Sequence, residues 1–407
     1  MINLNFYFIL VVSCLPFIGA DLYVPSIVAM AQYFSTSVDI IQLCISTLMF
    51  GVASSQLFYG PISEGIGRKP VMLFGIVLSL LGGIVCIFAN HISLLFLGLF
   101  LHGIGLGAGS LFRSVMRDLY HGQDLILHGA NISILNTFIL TLAPFIGGYL
   151  QTTFNWQASF IFFFIFTLCT LIFCLYGYEE SNKHLHQDRL KIHYILKIYQ
   201  IILSHNAFAG YCFCCATTMF GYFAWITVCP VLMIKHLGYS ALEFGSILLS
   251  ASFFAFILGS VSNRYAVQRF TPATVFTIGW IFSLLSGLLL FPTYWYFGMS
   301  DIQLISCMVL YIYSTAFLWP NFFALAFEPF HETSGYASAL YGSSQIAGAS
   351  LAAAVASLLP EQNPIPLAFA VIASALFGWS YYVFIISPYE QKELEIAASK
   401  AEGEDSA

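Results

Sequence analysis

Apolar runs about as long as a bilayer-spanning helix recur from one end of this chain to the other, and they leave room for few other folds. A helix needs about 20 apolar residues to cross the hydrocarbon core of a membrane. Twelve stretches meet that need, near 6–30, 40–62, 71–90, 92–116, 128–150, 157–178, 207–234, 243–263, 272–292, 302–327, 335–359 and 365–387. Only 8% of the residues are charged, against about 25% in a soluble domain. A soluble fold of this length would expose a large apolar surface. The expected class is therefore an all-α integral membrane protein with twelve transmembrane helices.

The connections between runs are short except over 179–206, which is polar and basic: Glu179, Glu180, Lys183, His184, Arg189, Lys191 and Lys197. That stretch divides the chain into a six-span bundle over 1–180, a cytoplasmic linker over 181–206 and a second six-span bundle over 207–387. A polar end, 388–407, reads as a disordered cytoplasmic tail. Orientation follows from the placement of Lys and Arg. With the N-terminus in the cytoplasm, Arg68, Lys69, Arg117, Lys183, Arg189, Lys191, Lys197, Arg264, Arg269, Lys392 and Lys400 fall inside, eleven of the thirteen basic residues. Lys235 falls outside and Arg113 within the fourth span. Both termini are thus expected in the cytoplasm. The first run has no basic start and no small-residue cleavage site, so it reads as a span rather than a signal peptide.

The ten cysteines lie in or beside apolar runs. The group at Cys212, Cys214 and Cys215 lacks a second pair at ligand spacing, so it reads as filler, and no metal site is expected. No basic patch suits nucleic acid. A weak echo links the halves: a span rich in small residues and then a loop with two cations, Arg68 and Lys69 after the second span, Arg264 and Arg269 after the eighth. Paired six-helix halves around a midplane cavity are a transporter arrangement.

Three short stretches carry chemistry. The first is Gly19-Ala20-Asp21-Leu22-Tyr23-Val24-Pro25, an acid inside an apolar span. Charged residues in spans are rare and face a bundle interior or cavity. Asp21 could cap a helix break between Gly19 and Pro25. It could equally exchange a proton against a cationic substrate, since burial favours a neutral acid and a nearby cation favours a carboxylate. The second stretch is the loop Gly60-Pro61-Ile62-Ser63-Glu64-Gly65-Ile66-Gly67-Arg68-Lys69-Pro70. Its Gly-Pro start predicts a departure from the helix. Glu64 and Arg68, four apart, are suited to pair with each other or with charged helix ends. The third is Met116-Arg117-Asp118-Leu119-Tyr120.

The loop resembles the signature of the major facilitator superfamily, Gly-x-x-x-Asp-x-x-Gly-Arg-Lys/Arg, with Glu64 where Asp is usual. Together the three stretches resemble the bicyclomycin/chloramphenicol-resistance family of drug:proton antiporters. Ala143-Pro144-Phe145-Ile146-Gly147-Gly148 resembles that family's antiporter motif, in which Pro144, Gly147 and Gly148 permit bending and close packing. Pro320-Asn321 and Gly335-Tyr336-Ala337-Ser338-Ala339 also fit. The resemblance implies the major facilitator fold, two pseudo-symmetric six-helix bundles, in a bacterial inner membrane. It departs in the fourth span: the family carries Arg three residues before a His/Gln-Gly pair, and here that position is Leu99, ahead of His102-Gly103. Arg113 lies fourteen residues on, about four turns, and is a candidate substitute, a partner for Asp21, or a cation snorkelling to the surface. His102 is a candidate proton carrier or a packing histidine.

Candidate residues for a substrate-facing wall are Tyr23, Tyr222, Phe223, Trp225, Trp319 and Asn321, since broad recognition suits a large aromatic cavity. The eleventh span, crowded with Gly, Ala and Ser, reads as a packing helix, and Glu328 as interfacial. The function expected is proton-coupled export of small amphipathic compounds by alternating access. It needs a proton gradient but no cofactor, with small-molecule substrate, protons and lipid as partners and a monomer as the working unit. The alternative is a proton-coupled carrier for a metabolite, nutrient or siderophore. No nucleophile–base set or phosphate loop suggests an enzyme.

Overall fold

A computed structural model of the chain describes residues 4–120, 122–182, 185, 190–327, 329–330, 334–360 and 362–389. Lys183, Arg189, Glu328, Lys392, Lys400 and the tail from Glu390 lie outside the described residues. Fifteen α-helices are present and no strand among the described residues. In the first half they are α1 (Leu4–Asp21), α2 (Ile27–Tyr33), α3 (Val38–Ile66), α4 (Arg68–Ile87), α5 (Ile92–Gly107), α6 (Phe112–Leu119), α7 (Gly122–Thr153) and α8 (Gln157–Gly177). The remainder are α9 (Ile192–Leu203), α10 (Asn206–Pro230), α11 (Ala241–Val267), α12 (Pro272–Phe297), α13 (Asp301–Phe327), α14 (Ser334–Ala356) and α15 (Ile365–Tyr381). Short 3₁₀ turns join α1 to α2 and α5 to α6, so each pair makes one bent span. Ten such segments among the described residues are long and apolar enough to cross a bilayer. The 32-residue α7 and 23-residue α14 complete twelve. The chain is a multi-pass membrane protein.

The packing repeats itself. Within the first half α4 packs on α5 and α8, α3 on α5, and α1 on α7 and α8; within the second, α10 packs on α14 and α15, and α12 on α13 and α15. Between halves the main contacts are α3 with α14 and α7 with α11. Each is the second span of one half against the fifth of the other, as a two-fold relation between bundles requires. Small residues permit these approaches. Ser46 and Ser350 each donate to the other's carbonyl, at 2.8 and 2.9 Å, and Ser343 Oγ donates to the Ala53 carbonyl at 2.8 Å.

The break in the first span is held from the side by α7. A methyl group added at Gly147 would collide with the Leu22 carbonyl, and one at Gly148 with the Ala241 carbonyl of α11. The adjacent glycines thus let α7 touch the broken span with one face and the other half with the next.

The chain does not leave its helix at Gly60-Pro61, which corrects the expectation from sequence. α3 runs through Pro61 to Ile66 and stops at Gly67, whose φ of +105° suits glycine. Proline lacks an N–H, so the carbonyl four residues earlier, that of Leu57, has no helical donor. The Tyr199 hydroxyl donates to it at 2.7 Å. Tyr199 belongs to α9, a helix in the linker that the polar reading of 181–206 did not anticipate. Ile195, Tyr199 and Ile202 line its buried face, and the Tyr199 ring meets Tyr336 of α14 edge-on at 5.9 Å. The linker helix therefore bridges α3 near its C-terminal end and α14 near its N-terminal end.

Two predictions follow from this packing. Tyr199→Phe should cost about 1 kcal/mol, the usual net worth of one hydrogen bond. In a Pro61→Ala background, where a backbone N–H is restored to Leu57, the same change should cost clearly less; thermal unfolding of the four proteins in one detergent reads the coupling. Gly147→Ala should destabilise by about 1–3 kcal/mol through overpacking. Gly83→Ala, where a methyl meets nothing within 4 Å, serves as the matched control in the same melt.

Candidate functional site

Asp21 is the last residue of α1, and the 3₁₀ turn Val24–Ser26 follows. The chain turns there because Pro25 cannot supply an N–H to continue the α-helix. Asp21 is 1% exposed, and its Oδ1 is buried with no hydrogen-bond partner. No backbone N–H caps it, so the helix-break role weighed from sequence finds no support. Among the described residues no cation lies within ion-pair distance of it, and Arg113 is not its partner. Two tyrosines are within its electrostatic reach: Tyr23 of its own half and Tyr222 of α10. Asp21 thus looks across the junction of the halves rather than toward lipid, and in this conformation it is sealed from water.

The expected aromatic wall is partly assembled. Tyr222 meets Trp319 of α13 edge-on at 5.4 Å, Trp319 lies 6.3 Å from Phe256 of α11, and Phe223 is edge-on to Tyr222 at 5.8 Å. The Trp319 indole donates to Thr218 Oγ1 at 3.2 Å. Trp225 is fully buried with its indole N–H unpartnered. Two residues stand elsewhere. Tyr23 stacks on Phe160 of α8 at 5.5 Å with a 9° interplanar angle, so its ring belongs to the interior of the first half. The Asn321 amide donates to Asn263 Oδ1 of α11 at 3.0 Å and to the Phe317 carbonyl at 2.6 Å, which ties α13 to α11. Residues two apart on a helix point about 200° apart, and so Trp319 and Asn321 serve different contacts.

His102 is buried between helices. Its Nδ1 lies 2.9 Å from the Ser79 carbonyl and 3.1 Å from Ser79 Oγ, and its ring is edge-on to Phe163 at 4.9 Å. That is the packing arrangement, with α4 close against α5. Leu99, where the family carries Arg, is 1% exposed in the same core. Arg113 opens α6 and faces α14, whose Gly342 would place a methyl 3.3 Å from its Nη1.

The charged loop binds helix ends. Arg68 Nε pairs with Asp118 Oδ2 at 3.0 Å, and its Nη1 donates to Ser63 Oγ at 2.6 Å. Ser181 Oγ donates to the same Asp118 oxygen at 3.0 Å. Of the two pairings that the four-apart spacing left open, Arg68 does not take Glu64 but Asp118, at the end of α6. Glu64 instead lies against Gly335 in the first turn of α14, beside Arg117. Glu180 accepts the backbone N–H groups of Arg68 and Lys69, both at 2.9 Å, which caps α4. Lys69 Nζ donates to the carbonyls of Leu175 and Tyr178 at the end of α8, at 3.1 and 2.6 Å. Acid at a helix start and cation at a helix end both oppose the helix dipole. The spacing argument missed Glu180 and Ser181 because more than a hundred residues, or sixty, separate them from their partners.

A family model described as Major Facilitator Superfamily matches residues 9–332. Multidrug resistance protein D of Escherichia coli is 29% identical over 349 residues, covering 84% of this chain and 85% of that protein. The bicyclomycin resistance protein homolog of Haemophilus influenzae is 24% identical over 393 residues, covering 94% and 97%. In fold, the crystal structure of a D-xylose-proton symporter aligns with a TM-score of 0.71 at 16% identity, over 93% of this chain and 98% of that one. With the model matching most of its length and the helical architecture agreeing, the chain belongs to the major facilitator superfamily.

Proposed function

We propose that the protein is a proton-coupled secondary transporter that exports small amphipathic compounds across a bacterial inner membrane by alternating access. It works as a monomer with both termini in the cytoplasm, and the proton gradient supplies the energy without a cofactor. The names of its relatives, a multidrug resistance protein and a bicyclomycin resistance homologue, support export of drug-like molecules. The observation that carries the coupling is Asp21: a buried carboxyl with an unpartnered oxygen, at the break of the first span, facing Tyr222 of the opposite half.

A carboxylate can be kept in such a place only when water, a cation or a proton meets it. When the halves part on one side, water reaches Asp21 and a proton can leave or arrive. When they close, the charge has to be neutralised, and a proton does so. Proton exchange at Asp21 is therefore tied to the rocking of the bundles, and cargo movement is coupled to it through the same rocking. At the inner ends, Glu64 at the start of α14 forms a contact that reinforces one of the two closed arrangements, and the Arg68–Asp118 pair braces the loop that carries it.

In proteoliposomes with an imposed pH gradient, Asp21→Asn should reduce gradient-driven transport to background while the protein remains monodisperse. Undiminished gradient-driven transport by that variant would remove Asp21 from the mechanism. The substrate for the assay comes from a growth and accumulation screen of a deletion strain, with the Asp21→Asn variant as control.

A further inference from the structure

The charges at the inner end of the junction do not balance. Three arginines gather there. Arg68 is paired with Asp118 at 3.0 Å. Arg117 has Asp118 and Glu64 beside it. Arg113, one turn before Arg117, has no carboxylate within ion-pair distance among the described residues and donates no hydrogen bond there. The groups of the second half that face it are Tyr341 of α14 and Cys215 of α10, which are hydrogen-bonded to each other. Neither carries the countercharge that a guanidinium wants. Arg117 adds a like charge four residues on.

The surroundings are built for a polar ligand. On α3, the Gln56 Oε1 is buried without a hydrogen-bond partner, on a side chain 5% exposed, and the Tyr59 hydroxyl one turn on is likewise unpartnered. Gln56 Oε1 and Arg113 Nη1 converge on the backbone of Gly342, where the missing side chain leaves them room. Arg113 itself is partly exposed, so a ligand can reach it. Buried polar groups without partners are uncommon in folded proteins. An unpaired arginine offers a rigid fork of donors that fits a planar oxyanion such as a carboxylate. Packing alone would be met more cheaply by leucine or methionine.

Resting on the transporter reading above, we propose that Arg113 is the anion-binding group of the translocation pathway, and that the cargo is an organic acid with an aromatic or aliphatic body. The carboxylate sits at Arg113 between α3, α6, α10 and α14. The body lies toward the Tyr222, Trp319 and Phe256 rings. Asp21 then handles the proton and Arg113 the cargo's charge, and an acidic compound can be carried without competing for a single site.

The test uses three probes of one shape: 2-naphthoate, neutral 2-naphthamide and cationic 2-naphthylmethylamine. Binding to the full chain in phosphatidylcholine nanodiscs, which contain no anionic headgroup, is read by tryptophan fluorescence. The wild type should bind the carboxylate about tenfold or more tighter than the amide, as a charge-assisted pair implies. Arg113→Gln should abolish that preference with little change for the amide, and Arg113→Lys should retain part of it. Size-exclusion profiles establish that each variant is folded. A wild type without carboxylate preference, or an Arg113→Gln that weakens all three probes equally, overturns the proposal. The outcome is separate from proton coupling, which is read by pH-gradient-driven transport and fails or stands with Asp21.

Discussion

Hydrocarbon offers no hydrogen bonds, so each backbone group that a broken or ended helix releases within it has to be met by another part of the chain. Much of this structure follows from that requirement. Pro61 frees the Leu57 carbonyl, and Tyr199 comes from the linker to take it. The start of α4 leaves N–H groups open, and Glu180 accepts two of them; the end of α8 leaves carbonyls open, and Lys69 takes two. The loop and the segment after α8 are thereby bound to each other through helix ends. A polar linker of this kind is structural as well as connective.

Against that background of satisfied groups, the exceptions stand out. Asp21 and Arg113 are the ionisable side chains at the junction of the halves that lack opposite charges among the described residues. They belong to opposite signs and to different spans, and they are not paired with each other. Pairing them would neutralise both charges within the first half. Left apart, each stands without a countercharge from the described residues. The charges near the linker behave differently: Arg68, Asp118, Glu64 and Glu180 are all placed on partners or helix ends.

The spans were legible in the sequence because their signal is compositional and needs no knowledge of neighbours. So was the burial of Asp21, since an acid among apolar residues is visible in one dimension. Direction was not. Tyr23 stands two residues from Asp21 yet stacks on Phe160, and Asn321 stands two residues from Trp319 yet bonds to Asn263. Adjacency along a helix separates side chains rather than uniting them. Pro61 was misread for a related reason. Proline ends a helix when nothing replaces the lost bond, and the replacement here lies 142 residues away.

The two contacts between halves are not equivalent in length. The α3–α14 contact holds from Ser46 and Ser350, through Ala53 and Ser343, to Gly60 and Ala339. The α7–α11 contact involves Gly148 with Ala241, Pro144 with Gly245 and Thr152 with Leu242, all near the start of α11. If the halves move as rigid bodies, the linker-side part of α3–α14 has to release before that side can open fully. That is the stretch where Tyr199 touches both the Leu57 carbonyl and Tyr336, and where Glu64 meets the start of α14. The linker helix, the signature loop and the opening of the eleventh span thus meet at one place.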